Sequence, residues 1–365
     1  MRILIWDYWH HEVHGGRQVF VDNLIVGLLS RGHDVALVSD KSSPHSYCRL
    51  QSSPEELTKF ELAESDLFFD SRIFAELRRV LIFFKYFKPD LIHSQSLTCP
   101  SRRLLDFVNT RFELPFPEIL TIHNIYEAQK LFEVASNPDE LQSLNSIAVP
   151  SEYLYDRLAR MEKHRNIELV PHGITKNVEN QNNSETRIIY SGRLVAEKGV
   201  IDLVLAFSKV FQNSFNINLH IFGDGNLRTY LERLVVDLHL SERVLFHGTK
   251  SNVEVREFLN SESILVQPSL IPEAFGLSVL EAMSCSSGII VTDKGNLPYL
   301  IRNGVDGMVY SARDINALAR HMRNLASNHT LRRRLGNSAQ IRAIEEFSSE
   351  QMIDQYEKLY FQCLL

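Results

Sequence analysis

Two carboxylates, Glu273 and Glu281, stand in the stretch Pro272-Glu273-Ala274-Phe275-Gly276-Leu277-Ser278-Val279-Leu280-Glu281-Ala282-Met283. Glu273 follows Pro268 and Pro272, where the chain leaves a strand, and Gly276 lets the backbone turn into an apolar run that reads as a helix. The first amides of such a helix, from Phe275 through Gly276 and Leu277 to Ser278, have no partner within it. Together with the positive end of the helix dipole they make an anion site, suited above all to phosphate. Carboxylates beside that site would repel phosphate unless they hold something else, and sugar hydroxyls are the partner that fits. Taken alone, the pair reads as a solvated loop glutamate and a helix glutamate facing a lysine. The residues elsewhere in the chain are what give it chemistry.

Arg193 and Lys198 follow the strand signal Ile188-Ile189-Tyr190-Ser191 and precede a helix over residues 200–210. A planar guanidinium fork and a compact ammonium in one short loop suit a diphosphate; surface ion pairs are the bland alternative. Gly223 and Gly225 end the next strand, and 244–248 and 264–269 supply two more. Earlier in the chain, Ile119-Leu120-Thr121-Ile122 delivers His123-Asn124 to the end of a strand, which is where open α/β sheets bind ligands. A buried, hydrogen-bonded histidine is the alternative there. The N-terminus opens with a strand at 2–6, a polar stretch over 7–14, and Gly15-Gly16 starting a helix that runs to about Ser30. Strand, glycine turn and helix begin a doubly wound α/β domain. The full G-x-G-x-x-G fingerprint is missing, so a nicotinamide or flavin cofactor is not expected. The glycine pair allows close approach of a phosphate or sugar, or serves only as a helix-start turn. His10, His11, His14 and Arg17 surround it. No cysteine or carboxylate pattern completes a metal site, so these read as ligand-lining groups, and no metal is expected.

The 365 residues are enough for two domains, and 44% hydrophobic residues give each a core. With 39 basic and 45 acidic residues the net charge is −6, which provides no general attraction to nucleic acid. Cys48, Cys99, Cys285 and Cys363 are widely separated and read as free thiols of a reducing compartment. No secretory segment or apolar span long enough for a bilayer is legible, so a cytoplasmic protein is expected. Residues 67–88 interleave Phe, Leu and Ile with Arg72, Arg78, Arg79, Lys85 and Lys88. They read as a helix packed on the sheet with a basic outer edge, or as a basic amphipathic surface for anionic lipid.

The E-x7-E spacing of Glu273 and Glu281, with Arg193 and Lys198 in their strand-to-helix loop, resembles the retaining glycosyltransferases of family 4, also called group 1. The resemblance implies an α/β fold of the GT-B type, two doubly wound Rossmann-like domains facing across a cleft. It implies an acceptor-binding domain over 1–174, a nucleotide-sugar-binding domain over 175–345 with a polar linker at its start, and a helix over 346–365 crossing back to the first domain. By matching position, Arg193, Lys198, Gly16 and the amides of Phe275, Gly276 and Leu277 would hold the donor diphosphate. Glu281, Gly223 and Gly225 would lie at the ribose or base. Glu273 and His123 would meet the transferred sugar as catalytic groups, with Gly15, Arg17 and His14 on the acceptor side. Asn124 replaces an aspartate usual in the family, and Tyr299 an acidic residue usual after Pro298, so no catalytic role is carried onto 299.

The implied reaction is metal-independent transfer of a hexose or related sugar, with retention, from a UDP or GDP donor to a glycan or lipid-linked acceptor. The departing phosphate takes the acceptor's proton, so no dedicated base is named. The expected setting is assembly of a surface polysaccharide such as lipopolysaccharide, with peripheral contact to an anionic membrane. A nucleotide-sugar epimerase and a binding scaffold without turnover are the alternatives. A phosphorylase would need a pyridoxal lysine and a longer chain.

Overall fold

A computed structural model describes residues 1–7, 16–40, 87–96, 116–134, 144–160, 166–175, 185–211 and 217–365, with two short strand segments at 48–49 and 61–62. Gly15, His10, His11, His14, residues 67–86 and most of the expected linker lie outside them. The chain divides into two units, residues 1–173 with 349–365, and residues 174–348.

The first unit is built on a sheet of β1 (Arg2–Trp6), β2 (Asp34–Asp40), β3 (Cys48–Arg49), β4 (Glu61–Leu62), β5 (Leu91–Ser94), β6 (Glu118–Thr121), β7 (Leu144–Val149) and β8 (Ile167–Leu169). The strand order is β3-β2-β1-β5-β6-β7-β8, with β4 beside β2, and every pair is parallel except β2 with β3. Ile3, Leu4 and Ile5 are fully buried, as expected of a parallel strand covered on both faces. Helix α1 (Gly16–Ser30) puts Phe20, Val21, Leu24 and Leu28 on this sheet, in one apolar cluster with Met352, Ile353, Tyr356 and Tyr360. Two shorter helices follow, α2 (Ile125–Val134) and α3 (Glu152–Leu158). The C-terminal helix therefore belongs to the first unit. Its Glu357 accepts from Arg31 and pairs with His33 at 2.6 Å, so the chain end is held by charge as well as by burial.

The second unit has a six-stranded, all-parallel sheet of β9 (Arg187–Ser191), β10 (Asn218–Phe222), β11 (Val244–Gly248), β12 (Ser263–Gln267), β13 (Gly288–Thr292) and β14 (Met308–Tyr310). Alternation along β9 sends Ile188 and Tyr190 into one apolar cluster and Ile189 into another. The helices are α4 (Val200–Phe211), α5 (Arg228–Asp237), α6 (Asn252–Phe258), α7 (Leu277–Ser284), α8 (Leu297–Leu300), α9 (Ile315–Ser327), α10 (His329–Glu346) and, returning to the first unit, α11 (Ser349–Leu364).

The order β11-β10-β9-β12-β13-β14 fixes where a ligand can bind. Connections from β9 run one way to β10 and β11, while β12 leads the other way to β13 and β14. The loops after β9 and β12 therefore part from each other at a topological switch point, the place where open α/β sheets leave a crevice. In the first unit the same reversal falls between β1 and β5. Among the described residues, no helix is long and apolar enough to cross a membrane, and Cys285 and Cys363 are free thiols.

Candidate functional site

In the second unit, the loop leaving β9 carries Arg193 and Lys198, and the loop leaving β12 carries Glu273. The first loop is fixed from below. The buried Tyr190 hydroxyl donates to the Arg193 carbonyl at 2.8 Å, Leu194 N–H donates to Asp224 O at 2.8 Å, and Leu227 N–H donates to Leu194 O at 2.9 Å. Gly223 and Gly225 make this contact possible, because a Cβ there would lie 2.0 Å from Gly192 O and 2.5 Å from Leu194 O. The two glycines expected at the nucleoside thus let the 223–225 turn close onto the Arg193 loop. Arg193 itself is exposed, its side chain 62% accessible, with Glu197 at 3.5 Å.

Lys198 ends a short 3-10 turn, Ala196–Lys198, and its Nζ lies 2.6 Å from Glu273 Oε1. The same oxygen accepts from Ser269 Oγ and from Gln267 Nε2 at 3.2 Å. The backbone around Glu273 is clamped by the turn after β13. Glu273 bridges Gly295 in parallel fashion, Asn296 N–H donates to Glu273 O at 2.9 Å, and Asn296 Nδ2 donates to Phe275 O at 3.0 Å. Burial opposes ionisation of Glu273, but the Lys198 ammonium and the hydroxyl and amide donors outweigh it and hold the carboxyl below its ordinary value. Glu273 is an anion at neutral pH.

Helix α7 starts immediately beyond. Gly276 is its N-cap at φ 107°, a left-handed conformation that leaves no side chain to cap the helix, and no side-chain cap is present. Phe275 is buried in the apolar cluster, so any contact it makes with a ligand is through its backbone. Glu281 lies one turn into α7, 6% exposed, and accepts from Asn252 Nδ2 at 2.7 Å. Burial, only partly opposed by Arg256, raises its carboxyl to about 7. The two carboxylates of one motif are thus driven in opposite directions. Glu273 is held ionised by the adjacent Lys198 ammonium, whereas burial of Glu281 favours its protonated form.

In the first unit the described residues gather at the ends of β1, β5 and β6. Asp7, fully buried, ends β1, with Arg17 Nη2 3.4 Å away. His123 Nε2 lies 2.8 Å from Gln95 Oε1, and its ring stacks on His172 at 5.6 Å and meets Phe20 at 5.0 Å. His123 N–H donates to Glu127 Oε2 at 3.0 Å, while Ser96 Oγ donates to Oε1 at 2.8 Å. Asn124 Oδ1 accepts from Glu127 N–H at 2.8 Å, so the residue that departs from the family pattern caps helix α2. Burial, with His172, Arg17 and His93 close by, holds the His123 imidazole well below its ordinary value. It is neutral at physiological pH. Gly16 is the exposed first residue of α1. Gly15 and His14 are outside the described residues.

Sequence reasoning missed Gln267, Ser269 and Asn296 around Glu273, and Asp7, Gln95, Ser96, Glu127 and His172 around His123. For Gln267, Ser269, Asp7, Gln95 and Ser96 the signal is a polar residue at or just past the C-terminal end of a buried strand. Among the described residues, no group of three histidine, cysteine or carboxylate side chains could hold a metal ion.

These features define a chain of two doubly wound units with polar side chains gathered at the strand ends of each, and its solved neighbours are GT-B glycosyltransferases. Residues 14–177 match the model for glycosyltransferase family 4, and residues 173–342 match that for glycosyl transferases group 1. The chain belongs to this family of glycosyltransferases. It is 32% identical over half its length to an N-acetyl-alpha-D-glucosaminyl L-malate synthase of Bacillus anthracis, the match covering 46% of that protein. It is 27% identical over 47% of its length to the lipopolysaccharide core biosynthesis glycosyltransferase LpsE of Rhizobium meliloti, covering 48% of it. The matches thus span about half the length of these two relatives. The fold is similar to that of Anabaena Alr3699/HepE in complex with UDP and glucose, with a TM-score of 0.76 at 15% identity over 99% of this chain and 100% of the other.

Two consequences are measurable. Replacing Lys198 by Met leaves Glu273 buried beside no cation, and stability should fall by about 3–5 kcal/mol at pH ~7. The double change Lys198→Met with Glu273→Gln should restore most of it, read from urea midpoints; additive losses would show that the two groups are not coupled. For Glu281 the folded-state value lies above the unfolded one, so the stability tied to its protonated form is present at low pH and lost as pH rises through about 7. Glu281→Gln should therefore stabilise the protein by roughly 2–3 kcal/mol at pH ~8 and by nothing below pH ~4. A gain that does not change with pH would contradict the assignment.

Proposed function

We propose that this chain transfers a sugar from a UDP- or GDP-linked donor to a hydroxyl of a glycan or lipid-linked acceptor, keeping the anomeric configuration and using no metal. The observation that carries this reading is the meeting of Arg193, Lys198, Glu273 and the uncapped start of α7 at the switch point of the second unit.

Breaking the bond between the anomeric carbon and the phosphate oxygen leaves positive charge on the sugar and adds negative charge to the diphosphate. Arg193, Lys198 and the α7 amides supply fixed positive potential for the second change, which grows as the bond breaks and so favours the transition state over the ground state. That is the charge compensation a divalent ion gives in other enzymes. Lys198 also neutralises Glu273, so Glu273 can sit beside a diphosphate and accept from sugar hydroxyls through its remaining capacity. Glu281 exchanges hydrogen bonds with ribose hydroxyls in either protonation state, as an acceptor when ionised and as donor and acceptor when protonated. The acceptor oxygen bonds to the anomeric carbon on the face the phosphate leaves, and its proton passes to the departing phosphate oxygen.

HepE was solved with UDP and with UDP-glucose, and LpsE is named for lipopolysaccharide core synthesis. The first favours a nucleotide-sugar donor and the second a surface-glycan setting; work at the cytoplasmic face of a membrane is part of the proposal. Incubation with UDP-glucose and with GDP-mannose, with an added saccharide acceptor, should release UDP or GDP from one of them, and chelation by EDTA should leave the rate unchanged. Glu273→Gln should lower that release by about 10²-fold or more. Tight nucleotide binding without release from a panel of donors would instead favour a scaffold, and a donor returned with altered sugar configuration would favour an epimerase.

A further inference from the structure

The hydrogen bonds around His123 determine which of its nitrogens carries the proton. Gln95 is fully buried, and its Nε2 faces the His93 carbonyl at 3.5 Å. The reverse amide orientation would set two oxygens against each other there, so Oε1 is the atom turned toward His123. An amide oxygen only accepts, and the 2.8 Å contact with His123 Nε2 therefore requires a proton on Nε2. A neutral imidazole has one ring proton, which leaves Nδ1 bare. Nδ1 is buried without a hydrogen-bond partner, and so is Arg17 Nε, on a side chain close enough to act on the His123 charge. One orphan accepts and the other donates. A buried acceptor and a buried donor left open in one neighbourhood are what a ligand hydroxyl satisfies, since it can give a proton to one group and receive from another.

We propose that Gln95 is a positioning residue for the reaction: by accepting from His123 Nε2–H it fixes the tautomer whose Nδ1 accepts a hydrogen bond from a neutral sugar hydroxyl. This rests on the reading above that His123 meets the transferred sugar. The rest of the surroundings serve the same end. Glu127 binds the His123 backbone N–H and not the ring, so no carboxylate draws a proton onto the imidazole. His172, Arg17 and His93 face it and disfavour a cation. A ring kept uncharged and in one tautomer accepts from a hydroxyl at Nδ1, while the Arg17 Nε–H is placed to donate to one.

The tautomer can be read without any ligand, from two-bond proton–nitrogen correlation spectra of histidine-labelled protein, with His123 assigned by its loss in His123→Asn. The expected pattern is Nε2–H, unchanged between pH ~5 and ~8. A proton on Nδ1 in the wild type overturns the proposal whatever the substrate. Gln95→Leu removes the acceptor and should mix the tautomers and lower kcat/KM for nucleotide release from the active donor, UDP-glucose or GDP-mannose, by about tenfold or more. Gln95→Glu keeps an acceptor but adds a charge that raises the imidazole value. It should retain Nε2–H and activity at high pH, and lose activity as pH falls, because a protonated ring no longer accepts; the wild type lacks that limb. Full activity in Gln95→Leu despite mixed tautomers, or a wild-type pH profile in Gln95→Glu, would overturn the positioning role. If His123→Asn is itself fully active, the placement of His123 at the sugar falls and the role of Gln95 falls with it, although the measured tautomer stands.

Discussion

The ion pair between Lys198 and Glu273 is the constraint on which the second unit's site depends. A carboxylate buried beside the start of a helix faces a desolvation cost that only a cation and several donors can offset. The fold supplies them from two loops, Lys198 after β9 and Gln267 and Ser269 at the end of β12, while the Asn296 turn after β13 holds the Glu273 backbone. Each loop is short and follows a strand of an all-parallel sheet, so their mutual positions are set by strand register and do not rest on a flexible linker. The switch point between β9 and β12 is what allows the first two to diverge and leave room for a ligand.

The two units offer different chemistry at their strand ends. The second presents exposed Arg193, the Lys198 cation and free helix amides, a combination for charge. The first presents a neutral imidazole, a glutamine and the Ser96–Glu127 pair, a combination for hydroxyls. Glu273, in the loop before α7, and Glu281, one turn into it, have opposite protonation tendencies, because the first has a cation beside it and the second has only a neutral amide at hydrogen-bond distance.

Much of this was legible in the sequence because strand ends are marked by abrupt changes of composition. Arg193, Lys198, Glu273 and Glu281 could be placed by the apolar runs before them and by Gly276, and His123 by the run that ends at Ile122. What could not be read was partnership across the sheet. Lys198 and Glu273 are separated by 75 positions, and nothing in either segment says that the cation meant for phosphate also neutralises the carboxylate. Gln95 and His123 meet only because β5 and β6 are neighbours, a fact of strand order and not of local pattern. Gly223 and Gly225 were identified as a turn near the nucleoside, yet the close backbone approach they permit is to Gly192 and Leu194. Asn124, where the resemblance leads one to expect an aspartate, caps a helix.

The most direct measurement is calorimetric titration of UDP and of GDP into the wild type and into Arg193→Ala, under one salt condition. One nucleotide should bind, and its affinity should drop about tenfold or more in the variant, as loss of a charge-assisted contact to phosphate requires. Equal affinity in the two proteins would contradict the placement of the diphosphate at the β9 loop, and no binding of either nucleotide would contradict the nucleotide-sugar site itself.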